Sequence, residues 1–274
     1  MLGTTDDTFT PDGTMTRAMF ATVLYRMAGS PSVEGLSVSF KDIPEGYWAY
    51  DAIAWALNKG VVNGFSADEF KPKQAITREQ LVAMLYRYSG NPEVSGELSF
   101  TDAAAVCDWA VNPILWACQN KIVQGYTDGS FQPNKSITRA ELATIIARFA
   151  KLDVNTKTFS DINGHWAQKN IELAAGNGWI NGYEDGTFRP NNNITRAETF
   201  AMINRVLDRQ TESVSDLLPT SEMNMWSDNL NENAWYYKDV QEATNYHKCD
   251  RVGDSVYEKW TEKVPDIDWA SYQI

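Results

Sequence analysis

A threonine–arginine pair occurs four times, at Thr16, Thr77, Thr138 and Thr195, at intervals of 61, 61 and 57 residues. Each copy carries the same surroundings. A glycine (Gly3, Gly64, Gly125, Gly182) precedes a phenylalanine (Phe9, Phe70, Phe131, Phe188) by six positions. A proline follows that phenylalanine by two (Pro11, Pro72, Pro133, Pro190), and the TR pair comes five later. Nine residues past each TR arginine stands another: Arg26, Arg87, Arg148 and Arg205. Self-similarity at such a period marks a repeat array, whose units bury their apolar faces on one another.

A second set of landmarks lies between the TR copies. Phe40-x-Asp42, Phe100-x-Asp102 and Phe159-x-Asp161 lead to Trp48, Trp109 and Trp166, each 16 residues before a landmark glycine. A looser copy runs from Trp226-Ser-Asp228 to Trp235. Each unit is therefore an FxD…W…G half followed by a GxxxxxFxP…TR half. The chain begins inside one unit and ends inside another, which reads as part of a longer protein; the missing signal peptide then carries little weight.

Local patterns set the secondary structure. From Trp48 to Gly60 the apolar spacing fits a helix ended by glycine, and the TR threonine begins another. Thr77-x-x-Gln80, Thr138-x-x-Glu141 and Thr195-x-x-Glu198 are capping boxes, in which each end of the box satisfies a backbone N–H of the first turn. Thr16-x-x-Met19 lacks the second half. The loops between, such as Gly125–Pro133, read as turns, and no long strand fits. The YxDG loops read as turns ahead of calcium sites, because the ligand spacing of a calcium loop is absent.

Bulk properties exclude several classes. A formal charge of −12 argues against nucleic-acid binding. No apolar run is long enough to span a membrane. Cys107, Cys118 and Cys249 fit no metal motif and are expected as free thiols, and neither a metal nor a cofactor is expected. No Ser-His-Asp set or repeated carboxylate pair appears, so no catalytic residue is assigned; an enzyme, if the parent has one, would lie elsewhere in it.

The TR arginine stands at the first position of a helix, next to N–H groups expected to be free, where a guanidinium could hold a carboxylate. The alternative is a salt bridge to an Asp or Glu of a neighbouring repeat. The tryptophans suit either the core or a sugar-stacking face. Gly64, Gly125 and Gly182 are expected as positive-φ caps that also let backbone approach a ligand.

Residues 159–198, FSDINGHWAQKNIELAAGNGWINGYEDGTFRPNNNITRAE, resemble the repeat of the S-layer homology family. The resemblance covers about residues 1–245. It divides the chain into a half-repeat at 1–35, repeats at 36–96, 97–155 and 156–210, and a stretch at 211–274 holding a linker, a degenerate half-repeat and a tail. It implies an all-α fold of helix-loop-helix repeats packed as a pseudo-threefold prism, with an extended or fourfold spiral as the alternative. It implies a non-enzymatic, monomeric module outside the bacterial cell, in the cell wall or S-layer. The implied partner is a peptidoglycan-linked secondary polysaccharide bound through a pyruvate-ketal carboxylate. The implied contacts are Arg17, Arg78, Arg139 and Arg196, with Trp48, Trp109 and Trp166 and Gly64, Gly125 and Gly182. Arg139 and Arg196 lie in the copies nearest the family pattern. A self-assembling scaffold, its arginines in inter-repeat salt bridges, is the alternative function.

Overall fold

The computed structural model of the chain describes residues 7–154, 156–206, 208–253 and 255–264. Four helices start at the TR arginines: α1 (Arg17–Met27), α3 (Arg78–Tyr88), α5 (Arg139–Phe149) and α7 (Arg196–Val206). Four more belong to the FxD halves: α2 (Tyr50–Asn58), α4 (Asp108–Gln119), α6 (Gln168–Gly176) and α8 (Tyr237–Thr244). The helix-loop-helix repeats are thus as expected. Trp48 and Trp166 precede their helices, whereas Trp109 lies within α4.

The TR helices are capped as the boxes predict. The Thr138 hydroxyl accepts from Glu141 N at 3.2 Å, and Glu141 Oε2 accepts from Thr138 N at 2.8 Å. The first copy is also closed, contrary to expectation: the Met19 thioether stands where the carboxylate would be, with Sδ 3.3 Å from Thr16 N. Sulfur is a weak acceptor but reaches the same place.

The N-terminal N–H groups are not free. Arg17 N and Ala18 N donate to the carbonyls of Gln74 and Pro72 in the next repeat. Arg78 and Glu79 do the same to Lys135 and Pro133, and Arg139 and Ala140 to Asn192 and Pro190. Arg196 N and Ala197 N then donate to Gly13 and Pro11, at the other end of the chain. Isolated β-bridges follow the same circuit: Thr16 to Ala75, Thr77 to Ser136, Thr138 to Asn193 and Thr195 to Thr14. These contacts close a ring of four TR segments, the count of the fourfold alternative rather than of the threefold prism. The bridge at Thr14 makes it a closed ring and not a spiral.

The FxD aspartate holds each unit together. Both Asp102 oxygens accept backbone N–H groups, from Phe131 and Gln132 at 2.8 Å. Asp42 holds Phe70 and Lys71, and Asp161 holds Phe188 and Arg189. The second residue of each pair is left-handed although it is not glycine: Lys71, Gln132 and Arg189 have φ of 56°, 53° and 55°. Such a conformation is costly for an ordinary residue, and two charge-assisted hydrogen bonds offset it. In the broken unit Asp228 bonds Phe9 N at 2.7 Å and Thr10 N at 2.6 Å, with Thr10 at φ 58°. The first half of the fourth unit, near the C-terminus, therefore completes the second half near the N-terminus.

Gly64, Gly125 and Gly182 are not positive-φ caps; that role falls to Gly60 and Gly178 at the ends of α2 and α6, with φ of 66° and 77°. The landmark glycines are instead crowded. A Cβ on Gly182 would lie 2.3 Å from the Phe159 ring and 2.6 Å from the Thr187 carbonyl oxygen. The FxD phenylalanine packs directly on the glycine backbone in each complete unit.

Past α8 the tail forms an antiparallel hairpin, β1 (His247–Arg251) with β2 (Glu258–Lys263), irregular at Lys248/Cys249. Trp260 docks into a small apolar cluster with Leu217, Met223 and Tyr237. The repeat pattern gives no sign of this hairpin, and residues 265–274 lie outside the described residues.

Candidate functional site

Each TR arginine is almost fully buried and reaches into the next unit. Its Nε donates to the carbonyl of the FxP phenylalanine: Arg17 to Phe70, Arg78 to Phe131, Arg139 to Phe188 and Arg196 to Phe9, at 2.8–3.0 Å. The guanidinium also lies over that phenylalanine ring, 4.4–4.7 Å from its centroid. In three copies Nη2 donates to the carbonyl just before the landmark glycine: Asn63, Gln124 and Asn181. The arginine is thus an inter-repeat staple in every copy.

The remaining Nη1 separates the copies. Arg78 Nη1 pairs with Glu141 Oε1 at 2.8 Å, and Arg139 Nη1 with Glu198 Oε1 at 2.7 Å. These glutamates are the box residues of the following helix, so one carboxylate caps its own helix and neutralises the previous arginine. Tyr126 and Tyr183 donate their hydroxyls to the same Oε1 atoms. In the unit facing Arg17 the corresponding residues are Gln80 and Phe65; facing Arg196 the box residue is Met19, whose Sδ lies 3.4 Å from Nη1. Among the described residues neither Arg17 nor Arg196 has a carboxylate within ion-pair distance. Burial lowers both to about 10, with the neighbouring Arg87 adding to the effect on Arg17. Both stay charged at neutral pH.

Two open grooves bring these groups together with the other landmarks. One, of about 510 Å³, is lined by Arg17, Gly64, Gln80, Arg87 and Trp109. Glu79 also faces it, engaged with Cys107 N at 3.2 Å. Two arginines thus outweigh one carboxylate. The other, of about 560 Å³, joins Arg139 and Gly182 with Glu198, Arg205 and Trp235. Its three arginines face three carboxylates, since Arg189, Glu184 and Asp185 also line it. Each groove therefore draws on three successive units: the arginine of one, the glycine and box residue of the next, and the tryptophan of the one after.

The predicted residues are partly united by this plan. Arg17, Gly64 and Trp109 share a groove, as do Arg139 and Gly182. Arg78 bonds the residue preceding Gly125. Trp48 lies in a separate cavity with Arg26 and Tyr246, and Trp166 is exposed. Trp109, Trp166 and Trp235 are 44–54% exposed, so they do not form the core. The arginines at the ninth position, Arg87 and Arg205, were visible as a period but carried no role until the grooves placed them. Arg87 stands 6.0 Å from the centre of the Trp109 ring. The YxDG loops are turns stabilised from within, Asp185 accepting from Thr187 N and Oγ1. These bonds, with that from Arg189, hold the Asp185 carboxyl down at about 2.

The S-layer homology domain model matches residues 39–82, 99–143 and 158–200. Among similar proteins, a cellulosome-anchoring protein of Acetivibrio thermocellus is 37% identical over 209 residues, covering 71% of this chain and 44% of that protein. An S-layer protein of Bacillus licheniformis is 28% identical over 197 residues, 70% of this chain and 22% of that protein. An endoglucanase of Bacillus sp. is 36% identical over 155 residues, 53% of this chain and 16% of the enzyme. The chain spans less than half the length of each.

Proposed function

Because the chain belongs to the S-layer homology family, we propose that it anchors a protein non-covalently to the bacterial cell surface by binding an anionic, peptidoglycan-linked polysaccharide. The ligand group is a carboxylate, such as a pyruvate ketal, held by a buried arginine while an exposed tryptophan stacks on the sugar ring. Relatives named as an anchoring protein, an S-layer protein and an endoglucanase all contain the matching segment. A segment common to such different proteins fits an attachment role better than a catalytic one.

The observation that carries the reading is Arg17. Its guanidinium is buried with no carboxylate within ion-pair distance among the described residues, beside a second arginine and an exposed tryptophan, in a groove open to solvent. Desolvated positive charge of this kind gains most from an incoming anion. It also accounts for an acidic protein binding an acidic polymer, since positive charge is concentrated locally. For Arg78 and Arg139 a second reading is favoured, the inter-repeat salt bridge, because Glu141 and Glu198 already neutralise them.

Co-sedimentation with native cell-wall sacculi tests the proposal. The protein should pellet with intact sacculi and be released when pyruvate is removed by mild acid. Equal binding to stripped walls contradicts it.

A further inference from the structure

The tail hairpin holds a cluster that the repeat motifs do not explain. His247, Cys249 and Glu258 each present a ligand-type atom, and these atoms lie within 4.8 Å of one another. Cys249 Sγ is 2.8 Å from Glu258 Oε2, and His247 Nε2 is 3.9 Å from Glu258 Oε1. Glu242, on α8, brings Oε2 to 3.5 Å from the same nitrogen. The His247, Glu242 and Glu258 side chains are 1–3% exposed. We propose that this cluster is a binding site for a divalent transition cation of the zinc class, with His247, Cys249 and Glu258 as ligands and Glu242 beside them.

Three independent features support the assignment. His247 Nδ1 lies 2.9 Å from the Asn245 carbonyl, an arrangement that keeps the proton on Nδ1 and turns the Nε2 lone pair toward the carboxylates. An Nε2 that faces carboxylate lone pairs calls for positive charge between them, which a proton on the imidazole or a bound cation supplies. The surroundings are built to hold the groups still: Trp260 stacks on the His247 ring at 3.9 Å, and its Nε1 donates to Glu242 Oε2 at 2.9 Å. Among the described residues Glu258 Oε1 is buried without a hydrogen-bond donor, the nearest cationic group being Arg209 Nε at 3.9 Å. Ligands about 2.0–2.3 Å from a tetrahedral zinc stand roughly 3.3–3.8 Å from each other, and the separations here bracket that range.

Charge balance agrees. Two carboxylates and one thiolate carry three negative charges, and Arg209, 2.8 Å from Glu242, offsets one of them. A divalent cation neutralises the rest. On binding, the Cys249 S–H loses its proton to solvent as the sulfur–metal bond forms, and no electron is transferred.

The test is titration of the whole reduced chain with Co²⁺. One equivalent should produce a thiolate-to-cobalt charge-transfer band that Zn²⁺ abolishes by displacement. Cys249→Ser should lose the band and weaken binding by at least ~10-fold, whereas Cys107→Ser and Cys118→Ser retain it. Should Cys249→Ser fail to fold, alkylation of the unmodified protein gives the same answer, Zn²⁺ slowing reaction at Cys249 and not at Cys107. The proposal is overturned if no band forms, if the band survives Cys249→Ser, or if Zn²⁺ leaves Cys249 alkylation unchanged.

Discussion

At the scale of single residues, the recurring landmarks divide into those that hold the unit and those that face solvent. Gly182 meets the Phe159 ring so closely that a methyl group must displace it. Gly182→Ala is expected to cost about 1–3 kcal/mol through overpacking, read as a lower denaturant midpoint; an unchanged midpoint would refute the crowding argument. Asp102→Ala leaves two backbone N–H groups without their acceptor and releases a left-handed Gln132. The expected loss is on the order of 2–4 kcal/mol, measured the same way. The identities of these residues were legible in the sequence, but the reason for the glycine was not. Spacing reveals that a small residue is required, and only coordinates distinguish a positive φ from a ring against the Cα.

At the scale of the helix, the TR segment combines capping and stapling in one turn. Glu141 uses one oxygen to close its own capping box and the other to hold Arg78 and Tyr126. Glu141→Gln keeps an acceptor for the cap but removes the charge that neutralises a buried guanidinium. It should destabilise more than Thr138→Ala, which costs about 1 kcal/mol for a lost cap. Thermal unfolding of the two variants side by side decides this. The capping boxes and the helix starts could be read from Thr-x-x-Glu and Thr-x-x-Gln alone. The fate of the helix N–H groups could not, because their acceptors lie in another repeat, 50–57 positions on for the first three helices and at the far end of the chain for α7. For the same reason the match to the family pattern pointed to Arg139 and Arg196, whereas among the described residues Arg17 and Arg196 are the pair with no carboxylate at ion-pair distance. What distinguishes Arg17 is Gln80 and Phe65, substitutions in the neighbouring unit.

At the scale of the whole molecule, four TR segments close on themselves through contacts between the two ends of the chain. The repeat count was plain in the sequence; closure was not, because the seam joins Asp228 to Phe9 and Thr10 across more than 200 residues. Asp228→Ala should therefore open the seam first. Hydrogen exchange is expected to rise at residues 9–16 and 226–244 before the α3–α5 region, and uniform exchange would contradict a closed ring. Ring geometry also explains why each groove uses three units, and why residues from one repeat were not the set that meets in space.

The central claim is that unneutralised charge at Arg17 makes its groove the one that takes an anionic polymer. Installing the neighbour's arrangement there, with Phe65→Tyr and Gln80→Glu together, supplies Arg17 with the tyrosine–glutamate pair that Arg78 already has, without deleting any contact of Arg17 itself. Affinity for pyruvylated cell-wall polysaccharide, measured by calorimetry on a folded double variant, is predicted to fall by about 10-fold or more, a loss of at least ~1.4 kcal/mol. Undiminished affinity in that variant would contradict the account.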